Sequence, residues 1–369
     1  MTDPRIYQIG LTMINGIGDV LARHLLETVG NAETIFKESS AALQKIPGIS
    51  ASLASEIQRP AVLLRAEQEL TFIEKNRISL YFFSDPDYPA RLKECSDAPI
   101  LFYFKGNVDL NAARILSIVG TRKATEYGKG LTESFIKDLA AYFPDTLIVS
   151  GLAYGVDIYA HRNALKYHLP TVAVLAHGLD RIYPPLHRPT AVEMVQHGGL
   201  LTDFPTGTIP NKPNFIKRNR IVAGLSDATL VVESAEKGGS LITADIAFSY
   251  GRDVFAFPGR VRDANSKGCH LLIRQNKAGL VTSADDLITA LCWDVNTPAI
   301  SLPRQAQILF PDHPQNEKLM ALLREHGEMY VNQLALELDL PVYQVSSLLF
   351  ELEMAGLIRG LPGDRYQWV

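Results

Sequence analysis

The sequence contains no long hydrophobic run. In its 369 residues no apolar stretch reaches the roughly 18 residues that a membrane-spanning helix needs. The first residues, MTDPRIYQIG, lack the basic segment and apolar core of a signal peptide. With 47% hydrophobic and 21% charged residues, the composition is that of a globular protein. We therefore expect a soluble cytoplasmic protein with no membrane partner.

Cysteine is scarce, and its spacing excludes two common kinds of site. Cys95, Cys269 and Cys292 lie far apart without a CxxC pair, which argues against a disulfide framework or a cysteine zinc site. Asp157 and His161 are four residues apart on a predicted helix and could share a metal. No third ligand is suggested by spacing, so we favour hydrogen bonding or packing there. We predict no metal and no cofactor.

Acidic residues are missing from one central segment. The net charge of −4 by itself predicts no nucleic-acid partner, but residues 204–226 contain no Asp or Glu. The basic residues of this segment are Lys212, Lys217, Arg218 and Arg220. A second segment, residues 259–277, carries five basic residues against Asp263. Positive charge is therefore concentrated in the middle of the chain, where an anionic partner could bind.

The stretch NFIKRNRIVAGLS, residues 214–226, places arginines where a helix would bury apolar side chains. Arg218 would share a helical face with Val222, whereas a surface helix normally separates charged from apolar faces. Two interpretations stay open. Either the helix starts near Arg218 with NFIK extended and the basic groups facing a groove, or a buried arginine pairs with Asp203 or Asp227.

A clear α/β rhythm begins near residue 114. Short apolar strands alternate with glycine-rich loops and helices, as in ILSIVG, TLIVSG, TVAVLAHG, ATLVVES and VFAFPG. This pattern predicts an α/β fold with a Rossmann-like, doubly wound, mostly parallel sheet over residues 66–295. Such sheets bind ligands at the carboxyl ends of their strands.

The two ends of the chain predict smaller helical domains. Residues 1–65 resemble a tandem helix-hairpin-helix, in which the turn at Gly16 and Gly18 could hold a phosphate. Asp19 would repel that phosphate, so a packing domain remains the alternative. Residues 296–315 are proline-rich and predict a linker.

Residues 316–369 follow a winged-helix pattern. Its third helix, residues 342–355, contains no Lys or Arg and carries Glu351 and Glu353. DNA binding requires neutralisation of phosphates, so we favour a protein-contact role for this domain. Duplex recognition through the winged helix stays the alternative.

Several loops after the predicted strands offer groups that bind anions. None matches GxxxxGK[ST] or GxGxxG, and a glycine after a strand is often only a turn. Because these loops meet at one sheet edge and several are basic, together they indicate a binding edge. The residues concerned are Gly120, Thr121, Arg122, Lys123, Gly151, Gly155, Arg188, Gly239 and Ser240.

The segments SIVGTRKATEYG, SGLAYGVDIYAHRNAL, GLDRIYP, NFIKRNRIVAGLS and GGSLITADIAFSYGRDVFAFPG closely resemble the DprA (Smf) family of DNA-processing proteins. The resemblance covers roughly residues 70–290, and the end domains are similar to accessory domains of that family. It implies a homodimer that binds single-stranded DNA without strong sequence preference. It also implies loading of the recombinase RecA during natural transformation and recombination.

The resemblance also implies which residues contact DNA. Arg122 matches the arginine of the family's VG[ST]R loop, and the GSLIT loop matches residues 239–243. Its basic-Asn-Arg segment matches Arg218, Asn219 and Arg220, with Lys217 beside them and Ser240 and Thr243 in the GSLIT loop. Many relatives carry a lysine soon after the Tyr-Pro that corresponds to Tyr183-Pro184 in GLDRIYP. Here Arg188 is the candidate replacement.

Aromatic side chains near these loops could stack on bases. The candidates are Tyr127, Tyr154, Tyr183 and Phe215.

The main rival interpretation is a phosphoribohydrolase-type enzyme that binds nucleotides on a similar sheet. Such enzymes carry a Pro-Gly-Gly-x-Gly-Thr-x-x-Glu loop that supplies a catalytic carboxylate. The corresponding segment here reads KGGSLITAD, so Asp245 stands one turn into the helix and no glutamate follows the glycines. We therefore predict a protein that binds DNA and is not an enzyme.

Overall fold

A computed structural model describes residues 3–293, 314–354, 357–361 and 363–368. The chain forms two compact units, residues 1–295 and residues 296–369. The expected linker at 296–315 lies outside the described residues, apart from Pro314 and Gln315, which begin a helix. None of the helices described is both long and apolar enough to cross a bilayer.

The first unit begins with a layer of short helices. Polar side chains start several of them, since Asn31 accepts a hydrogen bond from the backbone N–H of Thr34 at 2.9 Å and Ser50 accepts one from Leu53 at 3.2 Å. The last helix continues beyond the expected domain boundary at residue 65. The helices are α1 Pro4–Met13, α2 Asp19–Val29, α3 Ala32–Lys37, α4 Ser40–Leu43, α5 Ala51–Ile57 and α6 Pro60–Lys75.

Within residues 3–293, nine strands form one sheet in the order β1-β2-β6-β5-β4-β3-β7-β8-β9. All neighbouring pairs from β6 to β9 in this order are parallel, while β1 and β2 extend the sheet antiparallel. The strands are β1 Ser79–Phe82, β2 Leu101–Gly106, β3 Ile115–Val119, β4 Leu147–Ser150, β5 Thr171–Val174, β6 Gly198–Thr202, β7 Ala228–Val231, β8 Asp253–Ala256 and β9 Gly279–Leu280.

Helices cover both faces of this sheet, which explains its uniformly apolar strands. Alternate residues of β3 pack on opposite faces of the sheet, with Ile115 and Val119 in one apolar cluster and Leu116 and Ile118 in another. The predicted doubly wound, mostly parallel sheet is therefore confirmed. The helices are α7 Ala90–Lys93, α8 Glu126–Tyr142, α9 Val156–Lys166, a 3₁₀ turn Pro185–His187, α10 Arg188–Met194, α11 Lys212–Gly224, α12 Gly239–Ser249, α13 Lys267–Arg274 and α14 Ala284–Ala290.

The second unit has the predicted winged-helix architecture. Three strands of its described part pair antiparallel in the order β10-β12-β11 behind a helical core. The third helix exposes Tyr343 and Phe350, while Glu353 accepts a hydrogen bond from the backbone of Gly360. The elements are α15 Pro314–His326, β10 Glu328–Tyr330, α16 Val331–Leu338, α17 Val342–Met354, β11 Ile358–Leu361 and β12 Arg365–Trp368.

A buried ionic cluster joins the helical layer to the sheet. Arg220 of α11 donates from Nη2 to Asp203 Oδ2 at 2.7 Å and to Asp19 Oδ2 at 2.9 Å. Asp19 also accepts the backbone N–H of Ile100 at 3.0 Å. The first predicted hairpin thus meets the sheet domain through Asp19, which favours the packing interpretation of that hairpin. We call Arg220, Asp19 and Asp203 the joint cluster.

We predict that Asp203→Asn destabilises the first unit by about 3 kcal/mol, because removing one charge of a buried pair leaves the other poorly compensated. Urea unfolding measures this change. Asp245→Asn is the matched control, since Asp245 pairs with Lys277 at 2.6 Å on the surface and such pairs contribute about 1 kcal/mol or less. Equal effects of the two substitutions would contradict a structural role for the joint cluster.

Candidate nucleic-acid interface

A cavity of about 600 Å³ opens at the carboxyl edge of the sheet. Its walls come from the loops after β3, β4 and β7 and from one side of α11. We call it the sheet-edge groove. The residues of the predicted binding set that line it are Gly120, Thr121, Arg122, Gly151, Arg218, Asn219, Gly239, Ser240 and Thr243.

Helix α11 forms one wall and begins earlier than one interpretation required. Asn211 caps it by accepting the backbone N–H of Asn214 at 2.9 Å, and the helix runs from Lys212 without an extended segment before Arg218. The expectation that the helix starts near Arg218 is therefore wrong. Arg218 can occupy an inward face of the helix because its guanidinium has a polar partner there.

Arg218 reaches across the groove floor to the sheet. Its Nη1 donates to the backbone oxygen of Val174 at 2.5 Å, and the side chain is 4% exposed. The guanidinium lies directly over Gly151, where any Cβ atom would overlap it. The position of Arg218 therefore requires glycine at residue 151, because any side chain there would overlap the guanidinium.

The buried carboxylate of Asp157 lines the groove and interacts electrostatically with this arginine. Burial raises the pKa of Asp157, while Arg218 and the backbone N–H groups of Ala153 and Gly151 act in the opposite direction. Burial also lowers the pKa of Arg218 to about 10, with Asp157 opposing that shift. Since this value is far above neutral pH, Arg218 carries its positive charge at the groove.

Phe215 supplies an aromatic surface between cations. The guanidinium carbon of Arg122 lies 5.1 Å from the centroid of its ring, and that of Arg218 lies 6.0 Å from it. Tyr183, itself 42% exposed, has its ring centroid 6.0 Å from that of Phe215. Arginines held over a ring form cation–π contacts, so the groove presents charge and a flat apolar face together.

The loop after β3 is held by backbone contacts and one glutamate. The Thr121 N–H donates to the backbone oxygen of Glu233 at 2.7 Å. The Thr121 backbone oxygen accepts the N–H of Val156 at 3.1 Å. The Glu233 carboxylate accepts the hydroxyl of Thr125 at 2.6 Å. A Cβ atom at Gly155, whose φ is +76°, would overlap Thr121. Gly155 therefore positions Arg122 rather than lining the groove.

The start of α12 points at the same groove. No side chain caps this end of the helix, where Gly238, Gly239 and Ser240 line the cavity. The Ser240 hydroxyl donates instead to Ser234 Oγ at 2.9 Å. An uncapped helix start offers free N–H groups and a partial positive charge, which suit an anion such as a phosphate.

The chain matches models of known protein families along most of its length. The family model described as DNA recombination-mediator protein A matches residues 79–292. The chain belongs to the DprA (Smf) family. The models of the DprA winged helix domain and of a SAM-like helix-hairpin-helix tandem match residues 303–364 and 9–59. The resemblance found in the sequence and the three-part architecture are thereby confirmed.

Individual relatives agree with this assignment. Protein Smf of Synechocystis sp. is 31% identical, over 98% of both chains. The X-ray structure of DprA from Streptococcus pneumoniae covers 77% of this chain and 97% of its own, with 33% identity and a TM-score of 0.65. A Helicobacter pylori DprA structure, whose description refers to its single-stranded DNA binding mode, covers 58% of this chain and 96% of its own, with 30% identity and a TM-score of 0.53.

Several residues expected from the DprA resemblance lie outside the groove. Arg220 is the clearest correction, because its guanidinium is buried in the joint cluster and bonded to two carboxylates. The alternative of a buried arginine paired with Asp203 therefore holds for Arg220. Lys217 lies near the same cluster, with its Nζ 3.5 Å from Asp203 Oδ2. Both side chains are already engaged with acidic groups.

Arg188 and Lys123 are exposed but line no part of the groove. His187, which precedes Arg188, contacts the loop after β4, since its Nδ1 lies 2.8 Å from the backbone oxygen of Leu152. His187 also meets the ring of Tyr154 edge-on at 5.1 Å. The segment around His187 therefore supports the loop after β4.

Asn211 and Lys212 also line the groove, although the predicted binding set does not include them. Lys212 belongs to the segment without acidic residues, which was the available signal. Asn211 carried a recognisable signal as well, because it precedes Lys212-Pro213 in the pattern of a capped helix with proline in its first turn.

His161 takes part in local hydrogen bonding. Its Nδ1 lies 2.7 Å from Thr171 Oγ1, and its Nε2 accepts the N–H of Leu152 at 3.3 Å. Because both ring nitrogens are engaged, the packing interpretation is favoured over a metal ligand. No cluster of metal-binding side chains occurs among the residues that the structure describes. Burial lowers the pKa of His161 to about 3.

We predict that Gly151→Ala weakens ligand binding in the groove about tenfold or more, because its methyl group would displace the Arg218 guanidinium. Gly130→Ala is the control, since a Cβ atom there meets nothing within 4 Å. Fluorescence anisotropy with labelled oligo-dT measures both variants. Wild-type affinity in a folded Gly151→Ala protein would show that Arg218 is not a binding group.

We predict that His161 makes the protein less stable as the pH falls below about 6.5. Its folded-state pKa of about 3 lies below the unfolded value of 6.5, so the unfolded chain binds a proton that the folded chain excludes. The free energy of unfolding should drop by up to about 1.4 kcal/mol per pH unit from this residue. In His161→Gln, urea unfolding between about pH 7 and pH 5 should show a shallower dependence; an unchanged slope would refute the assignment.

Proposed function

We propose that this protein binds single-stranded DNA in the sheet-edge groove, without strong sequence preference. The observation that carries the proposal is the arrangement of Arg122 and Arg218 around the ring of Phe215 beside an uncapped helix start. Cations for phosphates combined with an aromatic face for bases form the surface that single strands require. The single-stranded DNA named in the description of the Helicobacter pylori structure supports the same ligand.

The aromatic face favours single strands over duplexes. A base can stack on Phe215 only when its own face is free, and pairing and stacking in a duplex hide that face. Arg122 is exposed and can follow a mobile backbone, whereas Arg218 is fixed by Val174 and Gly151. One fixed and one adaptable cation suit a flexible strand.

The absence of sequence preference follows from the kind of contact proposed. Phosphates are contacted by guanidinium groups and backbone N–H groups, which carry no sequence information. Every base has a π face, so stacking on Phe215 tolerates all four. Asp157 supplies the carboxylate among the described residues that line the groove. It interacts with Arg218 and with the loop backbone.

Membership of the DprA family supports further proposals about assembly, partner and location. We propose that the protein acts as a homodimer and promotes loading of a RecA-type recombinase on the bound strand, in DNA processing during natural transformation and recombination. We also propose that it is cytoplasmic and not an enzyme. A phosphoribohydrolase has less support, since Asp245 pairs with Lys277 and does not line the groove.

We predict that Arg122→Ala weakens binding of all labelled single strands about equally and lowers the salt slope by about 0.7 for the lost phosphate contact. Arg218→Lys should also lose affinity, because an ammonium cannot reproduce the fixed fork of the guanidinium. Anisotropy titrations of oligo-dT and a matched duplex at two salt concentrations measure these effects. The same variants should slow filament formation by a RecA-type recombinase on the strand.

Arg274→Ala is the matched control, because Arg274 is exposed on α13 and lines no part of the groove. Its affinity should equal that of the wild type. If folded Arg122→Ala and Arg218→Lys proteins bind as the wild type does, the DNA site lies elsewhere in the chain. Release of base from nucleoside monophosphates, with no binding of single strands, would instead favour the enzyme.

A further inference from the structure

A second cavity, of about 870 Å³, opens beside the sheet-edge groove, and of the residues predicted to contact DNA only Tyr127 lines it. It lies between the start of α8, the end of β7 and the loop that follows β8. Thr125, Tyr127, Glu233, Arg260 and Asn265 contribute to its walls. We call it the β8 cavity.

A single loop separates the two cavities. Thr121 and Arg122 line the groove, and Thr125 lines the β8 cavity. Asn265 fixes the β8 loop to this wall, since its side-chain amide donates to the backbone oxygen of Lys123 at 3.2 Å. Lys123 belongs to the backbone segment between the residues that line the two cavities, and its side chain is exposed. A strand leaving the groove therefore meets a cation at the crossing.

The β8 cavity offers an exposed aromatic ring in a fixed place. Tyr127 is 51% exposed, and its hydroxyl donates to the backbone oxygen of Pro258 at 2.9 Å. Because this hydrogen bond holds the ring at the cavity wall, stacking a base on it would cost little ordering of the side chain. This feature points to a ligand with a flat apolar face.

The β8 loop also presents cations that have no acidic partner. Arg260 and Arg262 are exposed and form no ion pair with the residues that the structure describes. Between them Val261 is 84% exposed. Arg260 lines the cavity together with the exposed Tyr127 ring, and Arg262 follows two residues later in the same loop. A cation and a ring in one cavity match the requirements of a nucleotide, whose phosphate and base need opposite kinds of surface.

The carboxylates of the β8 cavity are mostly engaged within the protein. Glu233 accepts hydrogen bonds from the hydroxyl and the N–H of Thr125, and Glu126 pairs with Lys129 at 2.6 Å. Among the lining residues Asp263 and Arg260 then remain, and the cations Arg262 and Lys123 are exposed on the flanking segments. The balance of free charge is therefore positive, which favours a phosphate over a metal cation.

We propose that the β8 cavity is a second nucleotide subsite, which holds the continuation of the single strand bound in the groove. A phosphate lies on Arg260 and Arg262, and a base stacks on Tyr127. The strand crosses the dividing loop beside Lys123. This inference rests on the proposed function, because it requires that the first part of the strand occupies the groove.

The test compares a short and a long oligo-dT, of about four and about sixteen nucleotides, in anisotropy titrations of the full chain. Tyr127→Ala should bind the short strand as the wild type does and the long strand about tenfold more weakly. Tyr127→Phe, which keeps the ring, should retain most of the long-strand affinity. The double variant Arg260→Ala/Arg262→Ala should lower the salt slope for the long strand by about 0.7 per contact.

Lys137→Ala is the control, because Lys137 is exposed further along α8 and lines neither cavity. Wild-type binding of the long strand by folded Tyr127→Ala and double arginine variants would overturn the inference. So would an equal loss for both strand lengths, which would indicate a general disturbance of the groove. A failure of the proposed function looks different, since then Arg122→Ala would leave binding of both strands unchanged.

Discussion

The contact of Arg220 with Asp19 and Asp203 holds α11 between the sheet and the helical layer. The same helix carries Arg218, Asn219 and Phe215 into the sheet-edge groove, so the position of the groove wall depends on this buried contact. Arg218 and Arg220 stand two residues apart and therefore leave the helix in nearly opposite directions. One arginine anchors the helix, and the other reaches the site.

Close packing around glycines determines the shape of the groove. Gly151 leaves room for the Arg218 guanidinium, and Gly155 lets the loop of Thr121 approach the start of α9. Gly120 meets Val156 in the same way. Each of these glycines brings protein against protein rather than ligand against backbone. The loops form one interlocked layer, which explains how a site built from loops holds the Arg218 guanidinium and the backbone of Arg122 in fixed places.

The distribution of charge explains how a chain of net charge −4 presents a cationic edge. The acidic residues nearest the site point inward and have partners within the protein. Asp19 and Asp203 belong to the joint cluster, Asp157 interacts with Arg218 and the loop backbone, and Glu233 holds Thr125. Arg122 and Lys212 line the groove and form no ion pair with a carboxylate of the residues that the structure describes. The electrostatic potential at the groove depends on which charged groups are buried and not on the net charge of the chain.

The alternation of apolar strands with helices was sufficient to predict the fold class, because burial on both faces of a parallel sheet imposes that pattern locally. The glycine-rich loops predicted the edge at which the site lies, since carboxyl ends of parallel strands meet there. The family resemblance named Arg122, Arg218 and the GSLIT loop, and the structure brings them to one cavity.

The local pattern could not separate Arg218 from Arg220, which have similar neighbours in the sequence. Arg220 meets Asp19, a residue 201 positions away, and Arg218 meets Val174 across the sheet. These partners become neighbours only when the helical layer, the sheet and α11 pack together. Tertiary packing therefore decided which arginine is buried in the joint and which faces the groove, because burial and pairing of a charge depend on atoms that sequence spacing does not bring near.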